Sequence, residues 1–301
     1  RSFSPHHVGG QVTSIATLDR PVTSSMRSID RFLFEPVNAR TAAIMRMALA
    51  VMLPWSFWSI GLKIMPPAEW IPGATRFYNQ LLLTRGYAAA IIFVAMLFGA
   101  GIRPRMTGIA LFVLLLPLDS LSRGRQSRQV LLFALLAFSM LRSDACWSVQ
   151  RWLKRDQPVD ADAGPMWPIR LIQIQLSLVY AVNAFAKATS HYTNGDTLIG
   201  MSRMRPNFLI DMSDGFAHFG PIALPVALAA TGSVIVESYL AVGFWFRRLR
   251  WITAAVGVMF HIMLQSIVHI FMLDLASMFL YLAFLLPWSK APASKRTIPA
   301  L

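Results

Sequence analysis

An all-α, polytopic integral membrane bundle of about eight transmembrane helices is the fold this sequence predicts, on three observations. Of the 301 residues, 55% are hydrophobic and only 14% charged, against about 25% charged in a soluble domain. The mean hydropathy is +0.52. Apolar runs recur along the chain near the ~20 residues that carry a helix across ~30 Å of hydrocarbon, and the Lys and Arg sit in the short segments between them.

The elements follow in order. Residues 1–30 are polar and Ser-rich, without the apolar core that precedes a secretory cleavage site, and read as a cytosolic tail. His6 and His7 are two adjacent side chains, an incomplete ligand set, so no metal site is expected there. Residues 31–290 form the membrane domain and 291–301 a second tail. The first crossing is expected over Thr41–Leu62, the second over Gly86–Ile102, the third over Met106–Leu121 and the fourth over Val130–Leu141. The fifth is Pro168–Ser190, where Pro168 is placed to open a helix. Pro221–Phe246, Trp251–Phe271 and Leu273–Trp288 complete the set. The connections Lys63–Arg85 and His191–Gly220 are long enough to fold over the outer mouth of the bundle. No internal repeat is visible, which ranks a transporter built on inverted repeats last.

A net charge of +14 on a soluble protein would point to nucleic acid. Here it points to a lipid bilayer with anionic headgroups, and no nucleic-acid partner is expected. Arg20, Arg27, Arg31 and Arg40 precede the first crossing, Arg103 and Arg105 follow the second, and Arg142, Arg151, Lys154 and Arg155 follow the fourth. Arg247, Arg248 and Arg250 follow the sixth, and Lys290, Lys295 and Arg296 follow the last. All fall on one face of an eight-crossing bundle with both termini in the cytoplasm of a bacterial-type inner membrane. Arg123, Arg125 and Arg128 fall on the other face and oppose the rule. The lone Cys146 forms no internal disulfide.

Burying a charged side chain in mid-crossing costs ~2.5–3.5 kcal/mol on insertion scales, so polar residues inside the runs mark either inter-helix packing or function. In the fifth run Gln173, Tyr180, Asn183 and Lys187 share one helix face. In the seventh, His261, Gln265 and His269 fall within one ~80° sector at ~100° per residue. Asp274, Ser277 and Tyr281 share a face of the eighth. Glu237 stands alone in the sixth and must be neutralised or paired; Lys187, Arg46, His261 and His269 are its candidate partners. Inter-helix hydrogen bonds of this kind are worth ~0.6 kcal/mol on average, so the set also reads as internal glue. Two His eight apart on one helix do not face each other across a macrocycle, which argues against haem.

Four stretches carry a family resemblance: FEPVNARTAAIMRMALAVML (34–53), LLFALLAFSMLRSDACW (131–147), VYAVNAFAKATSHYTNGD (179–196) and FHIMLQSIVHIFMLDLASMFLYL (260–282). Their order and spacing resemble the vitamin K-dependent gamma-carboxylase family and its wider HTTM (horizontally transferred transmembrane) group, over about Arg31 to Trp288. The resemblance implies an all-helical membrane bundle. It implies that Lys187, eight residues before Gly195, corresponds to the lysine that deprotonates vitamin K hydroquinone, with His261 on the family's FH motif and Glu237 on its acidic position. The sequence departs from the carboxylase where Arg128-Gln129 replaces an Asn-His pair, and no counterpart of the family's large extracytoplasmic region, which engages a protein substrate, is expected. Carboxylation of protein glutamates is therefore not expected.

Two function classes remain. One is an enzyme-like site for a quinone, hydroquinone or other lipid-like ligand, with Lys187, Glu237 and His261 in the chemistry and Tyr180, Asn183, Gln265 and His269 around the ligand. The other is a non-catalytic subunit that packs against partners in a larger membrane complex.

Overall fold

The structure is a computed structural model that describes residues 24–61, 85–121, 126–153, 162–204, 224–267 and 271–286. Helix α1 is Ser24–Phe34, strand β1 Pro36–Asn38, α2 Ala39–Gly61, α3 Arg85–Gly99, α4 Pro104–Leu121, α5 Gln126–Phe138 and α6 Val149–Leu153. Strand β2 is Asp162–Pro165, followed by α7 Trp167–Lys187, α8 Ser190–Thr193, α9 Asp196–Met204, α10 Leu224–Gly243, α11 Arg250–Ile267, α12 Phe271–Leu280 and α13 Leu282–Leu285. Each of the eight apolar runs holds a helix, with ends within about one turn of those expected. Two described segments, Trp167–Lys187 and Val226–Gly243, are long and apolar enough to cross a membrane.

The last run departs from expectation. It is two helices, because the chain turns at Tyr281, and α13 stops at Leu286 in extended backbone (ψ 146°). Pro287 follows, and a residue before proline is driven out of the helical region. The all-α expectation is met apart from one short ribbon, β1 antiparallel to β2 with Pro36 opposite Pro165 and Asn38 opposite Asp162.

Helices α2 to α5 pack as successive neighbours, and α5, α7, α10, α11 and α12 close into a ring, with α12 touching α5, α7 and α11. The most extensive packing between described elements is α7 along α10. Phe244, Tyr281 and Phe284 fill the lower part of that ring, with ring centroids 4.7 and 4.8 Å apart.

One end of the bundle gathers the basic turns. There Arg46 is fully buried, and its guanidinium donates to the carbonyls of Gly99 (3.1 Å), Ser143 and Trp147. It thereby satisfies carbonyls that two irregular connections expose as their helices end. Gly101 sits beneath it at φ 73°, where a Cβ would come within 3.0 Å of the guanidinium carbon and 2.4 Å of Ser148 Cβ. Arg46 is thus committed to this end and does not partner Glu237. At the same end Arg170 lies over the Phe32 ring at 4.1 Å, and Arg250 donates to Phe244 O and Phe284 O.

Arg128 is not the exposed loop cation that the sequence suggested. It is buried on α5, its Nε donates to Ser56 O at 3.4 Å and its guanidinium lies 5.6 Å from the Phe57 ring. Arg123 and Arg125 lie outside the described residues.

Arg46→Ala strips three carbonyls of a charged donor in a water-poor interior. At ~1.5–3 kcal/mol per hydrogen bond to a charged group, the loss is expected to exceed about 3 kcal/mol. Equilibrium unfolding in bicelles measures it, and Arg46→Lys, which loses the fork geometry, is expected to fall between the two.

Candidate functional site

The polar faces of four helices meet in two layers inside the ring. The upper layer is an ion pair. Lys187, the last residue of α7, donates from Nζ to Glu237 Oε1 at 2.8 Å. Its side chain keeps 28% of its exposure while that of Glu237 keeps 5%. Glu237 lies well inside α10, so the lysine reaches inward to it and is not simply drawn out to the headgroups. Glu237 Oε2 is buried and has no hydrogen-bond partner among the described residues. Tyr192 closes the layer from α8: its ring lies 5.7 Å from Lys187 Nζ and its hydroxyl meets Ser233 Oγ at 3.1 Å.

The lower layer lies two turns further along α7, ~10 Å away at ~1.5 Å per residue. Tyr180 Oη shares hydrogen bonds with His261 Nε2 at 2.8 Å and Tyr281 Oη at 2.6 Å. All three side chains are buried. Two further turns along, Gln173 Nε2 donates to Ala283 O at 2.6 Å and Gln173 Oε1 accepts from Arg170 at 2.9 Å. A polar stripe on one face of α7 therefore finds a different helix at each level.

The connector over the ion pair depends on a glycine. Gly195 has φ 87°, and a Cβ there would come within 2.9 Å of Val226 Cγ1 and 3.1 Å of the Ala227 amide. Only glycine accommodates both the left-handed backbone and the close approach. The spacing from Lys187 to Gly195 thus has a packing reason: the turn after α8 is pinned to the start of α10.

Of the residues singled out from the sequence, Lys187 meets Glu237, and Tyr180 meets His261. Asn183 is half-buried on α7 between the two layers, and Gln265 is half-buried on α11 one turn from His261. His269 and the side chain of Asp274 lie outside the described residues. Tyr192 and Ser233 were not anticipated. Their only signal was position, Tyr192 five residues beyond Lys187 and Ser233 one turn before Glu237. Tyr281 stood out for sharing a face with Ser277, and its role as second partner of Tyr180 emerged only from packing. Among the described residues no three His, Cys, Asp or Glu are grouped to hold a metal ion.

The family model described as the HTTM domain matches residues 34–288. The chain belongs to the HTTM-domain family. Membership and the two apolar crossing-length helices agree in making it a membrane protein that sits in a lipid bilayer. No curated protein and no solved structure matches the chain. The match takes in every residue of both layers, so the ion pair and the tyrosine–histidine cluster are features within the HTTM domain.

Tyr180 is the hub of the lower layer of this HTTM domain, bonded on both sides. Tyr180→Phe removes one bond from each of two buried partners, at ~0.5–1.5 kcal/mol per hydrogen bond. It is expected to cost more stability than Tyr281→Phe when the two are compared by reversible unfolding.

Proposed function

We propose that the upper layer binds a quinone, hydroquinone or similarly lipid-like ligand, and that Lys187 is the base. The observation that carries this reading is a buried carboxylate oxygen, Glu237 Oε2, with no hydrogen-bond partner among the described residues, beside an ammonium that remains partly open. A buried acceptor without a partner costs ~1–3 kcal/mol or more, and a donating ligand head, such as a hydroquinone hydroxyl, answers it. A ligand oxygen that displaces the carboxylate from Nζ lets the ammonium pass a proton to Glu237, and the desolvated amine left behind is the state in which a lysine acts as a base. Glu237 tunes Lys187 through the 2.8 Å contact, and His261 does so from below. Asn183 borders the ligand from α7, and Tyr180 and Gln265 border it from the layer below. Carboxylation of protein glutamates is not part of this reading. The bundle crosses a bacterial-type inner membrane eight times with both termini in the cytoplasm, since the basic turns gather at one end.

A second reading has one observation in its favour. Lys187 with Glu237, and Tyr180 with His261 and Tyr281, largely satisfy each other within the bundle, as internal glue in a non-catalytic subunit of a membrane complex would. Stable co-purification with other membrane proteins, together with intact assembly in Lys187→Ala, supports that reading.

Lys187→Ala in reconstituted protein is expected to abolish binding of a menaquinone or ubiquinone analogue while thermal unfolding still shows a folded chain. Undiminished binding in this variant overturns the ligand reading. For orientation, a cysteine replacing Arg103 and another replacing Thr189, in a Cys146→Ser background, are expected to react with impermeant maleimide from opposite faces, the first only from the cytoplasmic side.

A further inference from the structure

A groove of about 410 Å³ runs along the outside of the bundle between α2 and α3, far from the ion pair in the chain. Met47, Val51 and Pro54 form one wall, Ile92 and Met96 the other, and Ala50, Ala95 and Gly99 its floor. The floor is cut deep because the helices touch there: a Cβ on Gly99 would come within 2.9 Å of Ala50 Cβ. Val51 is 69% exposed and Met96 60%. Pro54 shapes the far end, since proline inside a helix removes a backbone bond and bends it.

The near end is charged. Arg40 stands seven residues before Met47, hence on the same face of α2 about two turns away. Arg103 stands in the turn that follows Gly99, at the same end of the bundle. Both are exposed. Both backbones are fixed: Arg40 N donates to Asn38 Oδ1 at 2.9 Å, and Arg103 N donates to Gln150 Oε1 at 3.1 Å with φ at 46°. A non-glycine residue in the left-handed region stores strain and invites a functional explanation. An apolar trough with two exposed arginines placed beyond the same end of its two walls is the complement of one molecule type, a lipid with an acyl chain and an anionic phosphate headgroup.

We propose that this groove is a specific site for an anionic phospholipid, with an acyl chain along α2 and α3 and the phosphate at Arg40 and Arg103. Lipid tails are as apolar as the groove, so burial in the trough gives little preference over bulk lipid. The selectivity comes from the arginines, at ~1 kcal/mol for each basic residue near an anionic headgroup, which is about a fivefold preference per arginine.

Native mass spectrometry tests it on the full chain released from nanodiscs of equal phosphatidylglycerol and phosphatidylethanolamine. One retained phosphatidylglycerol per chain is expected, in preference to phosphatidylethanolamine. Arg40→Gln and Arg103→Gln are each expected to cut that preference about fivefold without loss of helical circular dichroism. Val51→Trp, at an exposed position, is expected to displace the lipid altogether. Equal retention of the two lipids, or a preference unmoved by both arginine variants, overturns the proposal. So does disulfide capture of Val51→Cys by a second copy, or its crosslinking to residues 62–84 of the same chain, because the groove then has a protein occupant.

Discussion

Glu237 sets the terms for the interior of this protein. A carboxylate inside an apolar helix has no water to solvate it, and its free energy there depends on a cation or donors brought to it by another helix. Lys187 supplies the cation at 2.8 Å from the end of α7, and α7 along α10 is the most extensive packing in the described structure. The contact fixes the register of two antiparallel helices. With Lys187 opposite Glu237, Tyr192 reaches Ser233 and the Trp245 indole reaches Ser177 at 2.8 Å. Sliding one helix by a turn would break all three, which gives the pair a role in specificity as well as in any chemistry.

The same rule governs the rest of the bundle at its weak points. Hydrocarbon offers no hydrogen bonds, so irregular backbone is tolerated only where protein groups satisfy it. Arg46 does this for the carbonyls of Gly99, Ser143 and Trp147, and Gln173 does it for Ala283 O just past the break at Tyr281. Residues that look like misplaced charge in a linear sequence are thus hydrogen-bond donors to places where helices stop. Arg128 is a different case: it turns onto Ser56 O, inside α2, and the Phe57 ring.

Much of the fold was legible in the sequence because hydrophobic runs and turn charges are local. The eight apolar runs gave helices in the right places, and the period of the α-helix gave the shared face of Gln173, Tyr180 and Lys187. The candidate site was legible by half. Helical spacing says which residues of one element point together, so the stripe on α7 and the turn from His261 to Gln265 could be read. It does not say which stripes meet. Four cations were equal candidates for Glu237, and the sequence offered no way to choose Lys187 or to exclude Arg46. Tyr192 and Ser233 went unseen because each is an ordinary residue until the connector folds back over α10.

The sequence alone determined a helical membrane protein with polar faces inside its helices. Composition, run length and periodicity are properties of single segments and need no partner to be read. Tertiary structure decided the rest: that Lys187 meets Glu237, that Tyr180 stands between His261 and Tyr281, that Arg46 closes one end, and that α2 and α3 leave a trough between them. Each of those depends on the distance between helices far apart in sequence. That distance follows from packing against small residues such as Ala50, Gly99 and Gly195, which carry no chemical signal of their own.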